Sequence, residues 1–119
     1  MPKPILCLDF DGVIHSYISG WKGASVIPDP PVDGALEFIV SAMEIFDIAI
    51  FSSRSNQLGG IEAMREWLIK YGGGSLIEFV NFPIEKPSAF VTLDDRAITF
   101  NGIWPSVSEL REFKPWYKR

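Results

Sequence analysis

The stretch ILCLDFDGV, residues 5 to 13, decides how the chain is read. Its short apolar run, preceded by Pro4 and followed by turn-formers, has the pattern of a buried strand. An ordinary strand end needs one turn-former. This one carries Asp9 and Asp11 with a single residue between them, then Gly12. Two carboxylates this close repel each other, so a cationic partner is expected beside them.

Outward from this strand, segments alternate. HSYISGWKGASVIPDPP, residues 15 to 31, is rich in Gly, Ser, Pro and aromatics and reads as a loop, a flap next to the first strand. VDGALEFIVSAMEIF has Val32, Leu36, Ile39, Val40 and Met43 at helical spacing, with Pro30 and Pro31 marking its start. DIAIFSS is a second buried strand. LGGIEAMREWLIKYGGG puts Ile61, Met64, Leu68 and Tyr71 on one helical face, and Gly72 to Gly74 are expected to end that helix. LIEFVNF is a third strand candidate. FVTLDD is a fourth, again ending in two aspartates. SVSE, residues 106 to 109, reads as a capping box for a short helix carrying Leu110 and Phe113.

Apolar strands alternating with amphipathic helices predict an α/β fold with a mostly parallel central sheet. In such sheets ligands bind beyond the carboxyl ends of the strands. LDFDG, FSSR and LDDR all lie at such ends, so one sheet edge is expected to gather Asp9, Asp11, Asp94 and Asp95 with the serines. Aspartates do begin turns with no further role, but two doublets joined by a Ser-rich strand end favour a site. The economical counter-charge is a hard divalent cation, Mg²⁺ first, because it binds one or two carboxylates and leaves room for a phosphate.

The chain of 119 residues suits one domain, residues 1 to 119, and its 47% apolar content suffices for a core. A formal charge of -4 argues against non-specific nucleic-acid binding. The single cysteine, Cys7, excludes an intramolecular disulfide and points to a reducing compartment; it is expected in the core. No signal peptide or membrane-spanning run is read, so a cytoplasmic protein without membrane association is expected.

Taken in order, DFDGV, IAIFSS, EKP and VTLDD resemble the four motifs of the haloacid dehalogenase superfamily. The resemblance spans residues 9 to 95. It implies a three-layer, Rossmann-like core and a Mg²⁺-dependent phosphomonoester hydrolase working through an aspartyl-phosphate. Asp9 would be the nucleophile and Asp11 the general acid and base. Asp9, Asp11 through its backbone carbonyl, and Asp94 or Asp95 would hold the metal. Ser52 would donate to the transferring phosphoryl group, with Ser53 or Arg54 as alternatives, and Lys86 would supply positive charge. The same residues serve a phosphotransferase, and a non-catalytic phosphate- and metal-binding module is the competing class. One departure stands out. Only seven residues, PSAFVTL, separate Lys86 from Asp94, too few for the helix and strand that usually follow this lysine.

Gly12 is expected to let backbone amides approach phosphate oxygens. No insertion is long enough for a separate cap domain. The flap is its expected substitute, with Tyr17, Trp21 and Lys22 at the entrance, suited to a sugar phosphate or nucleotide. A nucleic-acid end and an oligomer stay open. His15 is expected to be structural, Arg96 to pair within the site loop, Trp104 to pack the sheet edge, and the tail KPWYKR to dock through Trp116.

Overall fold

The structure, a computed structural model, describes residues 2–72 and 74–118. It is an α/β domain. The first strand, β1, spans Ile5–Leu8, followed by α1 (Ala35–Ala42), β2 (Asp47–Ile50), α2 (Gly60–Gly72), α3 (Gly74–Ile77), β3 (Val80–Asn81), β4 (Val91–Leu93) and α4 (Val107–Arg111). A single 3₁₀ turn, Trp116–Lys118, follows. The four strands lie in the order β3-β2-β1-β4, and every pairing is parallel. This is the parallel sheet the strand–helix alternation predicts.

Why β1 and β2 are central is written in their side chains. Leu6, Cys7 and Leu8 are buried in succession, as are Ile48, Ala49 and Ile50. Neighbouring residues of a strand face opposite ways, so consecutive burial means both sheet faces are covered. Phe10, Ile14, Ile39, Met64, Trp67 and Leu68 join this core, with Leu76, Ile77 and Val80. Cys7 takes its expected place there.

Several boundaries differ from the sequence expectation. Helix α1 begins at Ala35, not at the prolines, after Gly34 in a left-handed conformation. Val40 of its expected apolar face is exposed. Helix α2 buries Met64 and Leu68 as expected, but also Trp67, while Tyr71 lies at the surface. Helix α2 ends at Gly72, within the glycine run as expected; a further short helix, α3, begins at Gly74, and Gly73 lies outside the described residues. The run LIEFVNF is a strand only at Val80–Asn81, because Leu76 and Ile77 turn into the core from α3 and Phe79 faces solvent. Strand β4 is one edge of the sheet, with Val91 and Leu93 exposed. Ser106 caps α4, accepting from the Glu109 amide at 3.2 Å, yet that helix buries no residue. Trp104 packs on Phe100 at 4.7 Å between ring centres, and remains 83% exposed instead of sealing the sheet edge.

Candidate functional site

Parallel pairing brings the carboxyl ends of β1, β2 and β4 to one edge, and there they line a cleft of about 270 Å³. Its walls are Asp9, Asp11, Tyr17, Trp21, Ser52, Ser53, Asp94, Asp95, Arg96 and Tyr117. The hollows of about 540 and 790 Å³ elsewhere do not join these strand ends.

The spacing of the first doublet follows from the strand it extends. The Asp9 amide still pairs with the Leu93 carbonyl at 3.0 Å, so the backbone remains extended at Asp9. Phe10, fully buried, faces the core and packs edge-on against Trp67. Its neighbours Asp9 and Asp11 both line the cleft. The chain then folds tightly: the Phe10 carbonyl accepts from the amides of Ile14 and His15, each at 2.9 Å. Gly12 has φ +82° at the centre of this turn.

Asp9, Asp94 and Asp95 each offer an oxygen within 4.8 Å of the others. Burial, a hydrogen bond with Asp95 and the charge of Asp94 push the Asp9 carboxyl up to about 8, despite the Phe10 amide donating to it at 2.9 Å. Without a cation, Asp9 therefore holds a proton near neutrality. Asp94 accepts from the Arg96 amide at 2.8 Å, fixing the turn after β4. Asp95, only 9% exposed, accepts from the Tyr117 hydroxyl at 2.7 Å.

Asp11 is in the opposite state. Burial alone would raise its carboxyl, but His15 and Arg54 outweigh that and hold it below the ordinary carboxylate range. Arg54 Nε lies 2.9 Å from Oδ2, and Arg54 Nη2 and His15 Nδ1 lie 3.0 and 2.9 Å from Oδ1. The Asp29 amide donates to His15 Nε2 at 3.1 Å, so the imidazole proton sits on Nδ1 and points at Asp11. His15 is fully buried and positions Asp11, a structural role as expected.

The remaining expected residues divide into two groups. Ser52, Ser53, Tyr17 and Trp21 line the cleft. Ser52 is buried, and its Oγ accepts from the Arg54 amide at 3.2 Å, leaving its hydroxyl hydrogen free to be donated. Arg54, Lys22 and Lys86 are not in that wall. Arg54 is fully buried, donates to the carbonyls of Gly23, Ala24 and Val26, and lies 4.7 Å from the Trp21 ring centre. It therefore ties the flap to Asp11 instead of meeting a substrate. Lys22 is exposed, its charge acting on Asp29. Lys86 is exposed, and the adjacent Pro87 shares a hollow with Ile5 and Asp47, the first residues of β1 and β2. The physical reason is direction: a strand parallel to β1 must be entered from the end remote from the cleft. Among the described residues lining the cleft, Arg96 is the one cation.

Gly12 stands where its neighbours leave no room for a side chain. A Cβ there would collide with Asp95 Oδ2 and come within 2.6 Å of the Tyr117 ring. The side chains of Asp95 and Tyr117 fill the space it leaves. Trp116 docks as expected, its Nε1 donating to the Gly12 carbonyl at 2.7 Å. Tyr117 is the site residue that sequence reading missed; the aromatic pair in KPWYKR was its only signal.

The flap is pinned along its length. Its two ends pair at His15 and Pro31. Ser19 donates to Asp29 through its amide at 2.7 Å and its hydroxyl at 2.6 Å, and Trp67 donates to the Asp29 carbonyl at 2.9 Å. Among the described residues no helix is long and apolar enough to cross a membrane. Comparison with family models, curated proteins and solved structures returned no match.

Proposed function

We propose that this chain is a Mg²⁺-dependent phosphomonoesterase with a three-layer, Rossmann-like core and no separate cap domain, acting through an aspartyl-phosphate on Asp9. The observation that carries this reading is the meeting of Asp9, Asp94 and Asp95 within 4.8 Å, beside Asp11 and Ser52 on one cleft. A phosphate brought there alone would meet four carboxylates and one cation. The donor set fits magnesium: hard carboxylate oxygens, excess negative charge and an open side for phosphate and water. Asp9, Asp94 and Asp95, with the Asp11 carbonyl, would hold the ion. Once bound, it would offset the charge on nucleophile and phosphate.

In the chemistry proposed, an Asp9 oxygen attacks phosphorus as the bond to the leaving oxygen breaks. Asp11 gives that oxygen a proton. In the second step Asp11 takes a proton from water, whose oxygen attacks phosphorus and releases Asp9 and phosphate. Ser52 donates to the transferring group, and Arg96 takes the part first assigned to Lys86. Because Arg54 and His15 favour ionised Asp11, the second step is well served. The first is easiest for esters whose leaving oxygen needs little protonation. Tyr17, Trp21 and Tyr117 give the rim an aromatic lining suited to a nucleotide or sugar phosphate.

A second reading, a phosphate- and metal-binding module without turnover, draws on two observations: the locked Asp11 and the absence of Lys86 from the cleft wall. Hydrolysis of an aryl phosphate with Mg²⁺, comparing native protein with Asp9→Asn, separates the two. Turnover lost in Asp9→Asn and on chelation is the expected result. Equal turnover in both proteins rejects the nucleophile; phosphate binding without turnover in the native protein favours the module.

A further inference from the structure

We propose that Tyr117 is a positioning residue for the cation site, orienting Asp95 through its hydroxyl; this rests on the magnesium reading above. Tyr117 lies in the 3₁₀ turn Trp116–Lys118, remote in sequence from both aspartate doublets. Its hydroxyl donates to Asp95 Oδ2 at 2.7 Å. A carboxylate bonded at one oxygen loses its freedom to rotate, and its other lone pairs keep a fixed direction.

Three further contacts hold the turn in place. Trp116 Nε1 donates to the Gly12 carbonyl at 2.7 Å, tying the turn to the loop that follows Asp9 and Asp11. The Tyr117 ring sits so close to Gly12 that a Cβ there would be 2.6 Å from Cε1. Its ring also meets Tyr17 edge-on at 6.0 Å, on the flap side of the cleft. Both strand-end loops and the flap thus converge on one phenol.

The chemistry of the donor suits the task. A lysine or arginine at this place would neutralise Asp95 and compete with a metal ion for it. A phenol supplies a directed hydrogen bond with no formal charge, so the carboxylate remains available to a cation. Metal sites commonly depend on such outer partners, whose loss costs roughly 10- to 100-fold in affinity.

The test is calorimetric titration of Mg²⁺ alone into the full chain in phosphate-free buffer, for native protein, Tyr117→Phe and Lys118→Ala. Thermal melts in chelator accompany each titration. Tyr117→Phe keeps the ring and removes only the hydroxyl. The expected result is Mg²⁺ binding weakened about tenfold or more, with the chelator melt unchanged and Lys118→Ala like native. Saturable native binding with equal or tighter binding by Tyr117→Phe overturns the inference alone. Weaker binding accompanied by a lowered chelator melt assigns Tyr117 to the fold and also overturns it. No saturable binding by native protein rejects the magnesium reading and this inference together.

Discussion

Replacing Asp9 by Asn should stabilise the metal-free protein, and the gain should grow with pH. The Asp9 carboxyl is pushed from an ordinary 3.8 to about 8 by burial, then by its hydrogen bond with Asp95 and the charge of Asp94. A carboxyl raised by folding favours the native state while it is protonated, and that advantage is lost as pH rises toward its folded value. Each pH unit in this window is worth about 1.4 kcal/mol. Between pH 5 and pH 8 the full effect is about 4 kcal/mol. Adjustment of the loops around the cluster reduces this to roughly 2 kcal/mol. Asn carries no charge at either pH, so it escapes the loss. Urea unfolding in chelator at pH 5 and pH 8 measures the difference directly. Native protein should fall behind Asp9→Asn by about 2–4 kcal/mol across that interval, and millimolar Mg²⁺ should close much of the gap for native protein. A difference that is flat with pH would refute the claim that this cluster is electrostatically unbalanced without a cation.

Gly12→Ala should cost about 2–4 kcal/mol in thermal or chemical denaturation, since its Cβ meets Asp95 and Tyr117 at a positive φ; a variant as stable as native would show that these side chains yield freely. Arg54→Met should cost about 3–5 kcal/mol, because Asp11 loses its partner inside the fold. In native protein, the stability conferred by depressed Asp11 is present above the ordinary carboxylate range and fades as acid protonates it. Arg54→Met should therefore show a weaker acid-induced loss, read from melting temperature between pH 5 and pH 2. If the phosphatase assay succeeds, Arg96→Ala should raise KM about tenfold or more while Lys86→Ala changes it by less than about twofold. The reverse pattern would return Lys86 to the site.

What the sequence discloses best is the strand-end chemistry. The residues after β1, β2 and β4 are unusual as composition alone: paired aspartates and serines directly behind apolar runs. Parallel pairing then needs no special residue to gather them. The third strand was harder to read because LIEFVNF is apolar without a clear period, and a short run of that kind serves a helix end as well as a strand. Trp67 belongs to the core through contacts with Phe10 and the Asp29 carbonyl, neither of which its helical spacing discloses. Lys86 satisfied a motif order, but the direction of β4 carries the segment before it away from the cleft. Arg54 has the place of a substrate contact because it follows Ser52 and Ser53; its partners are the Asp11 carboxylate and carbonyls some 30 residues earlier. Tyr117 was the least legible, since no periodicity links position 117 to position 95.

The bond between Trp116 and Gly12 joins residues separated by 104 positions. During synthesis the aspartates of the first loop precede this aromatic turn by more than a hundred residues. During that interval Asp9 and Asp11 lack the second aspartate doublet, and Asp95, once made, waits for its phenol. Local contacts such as the Phe10–His15 turn can form at once, whereas closure of the cleft bears the entropy of a loop spanning 104 positions. Completing the carboxylate cluster thus requires that long loop to close, a cost the local turn after Asp9 does not bear.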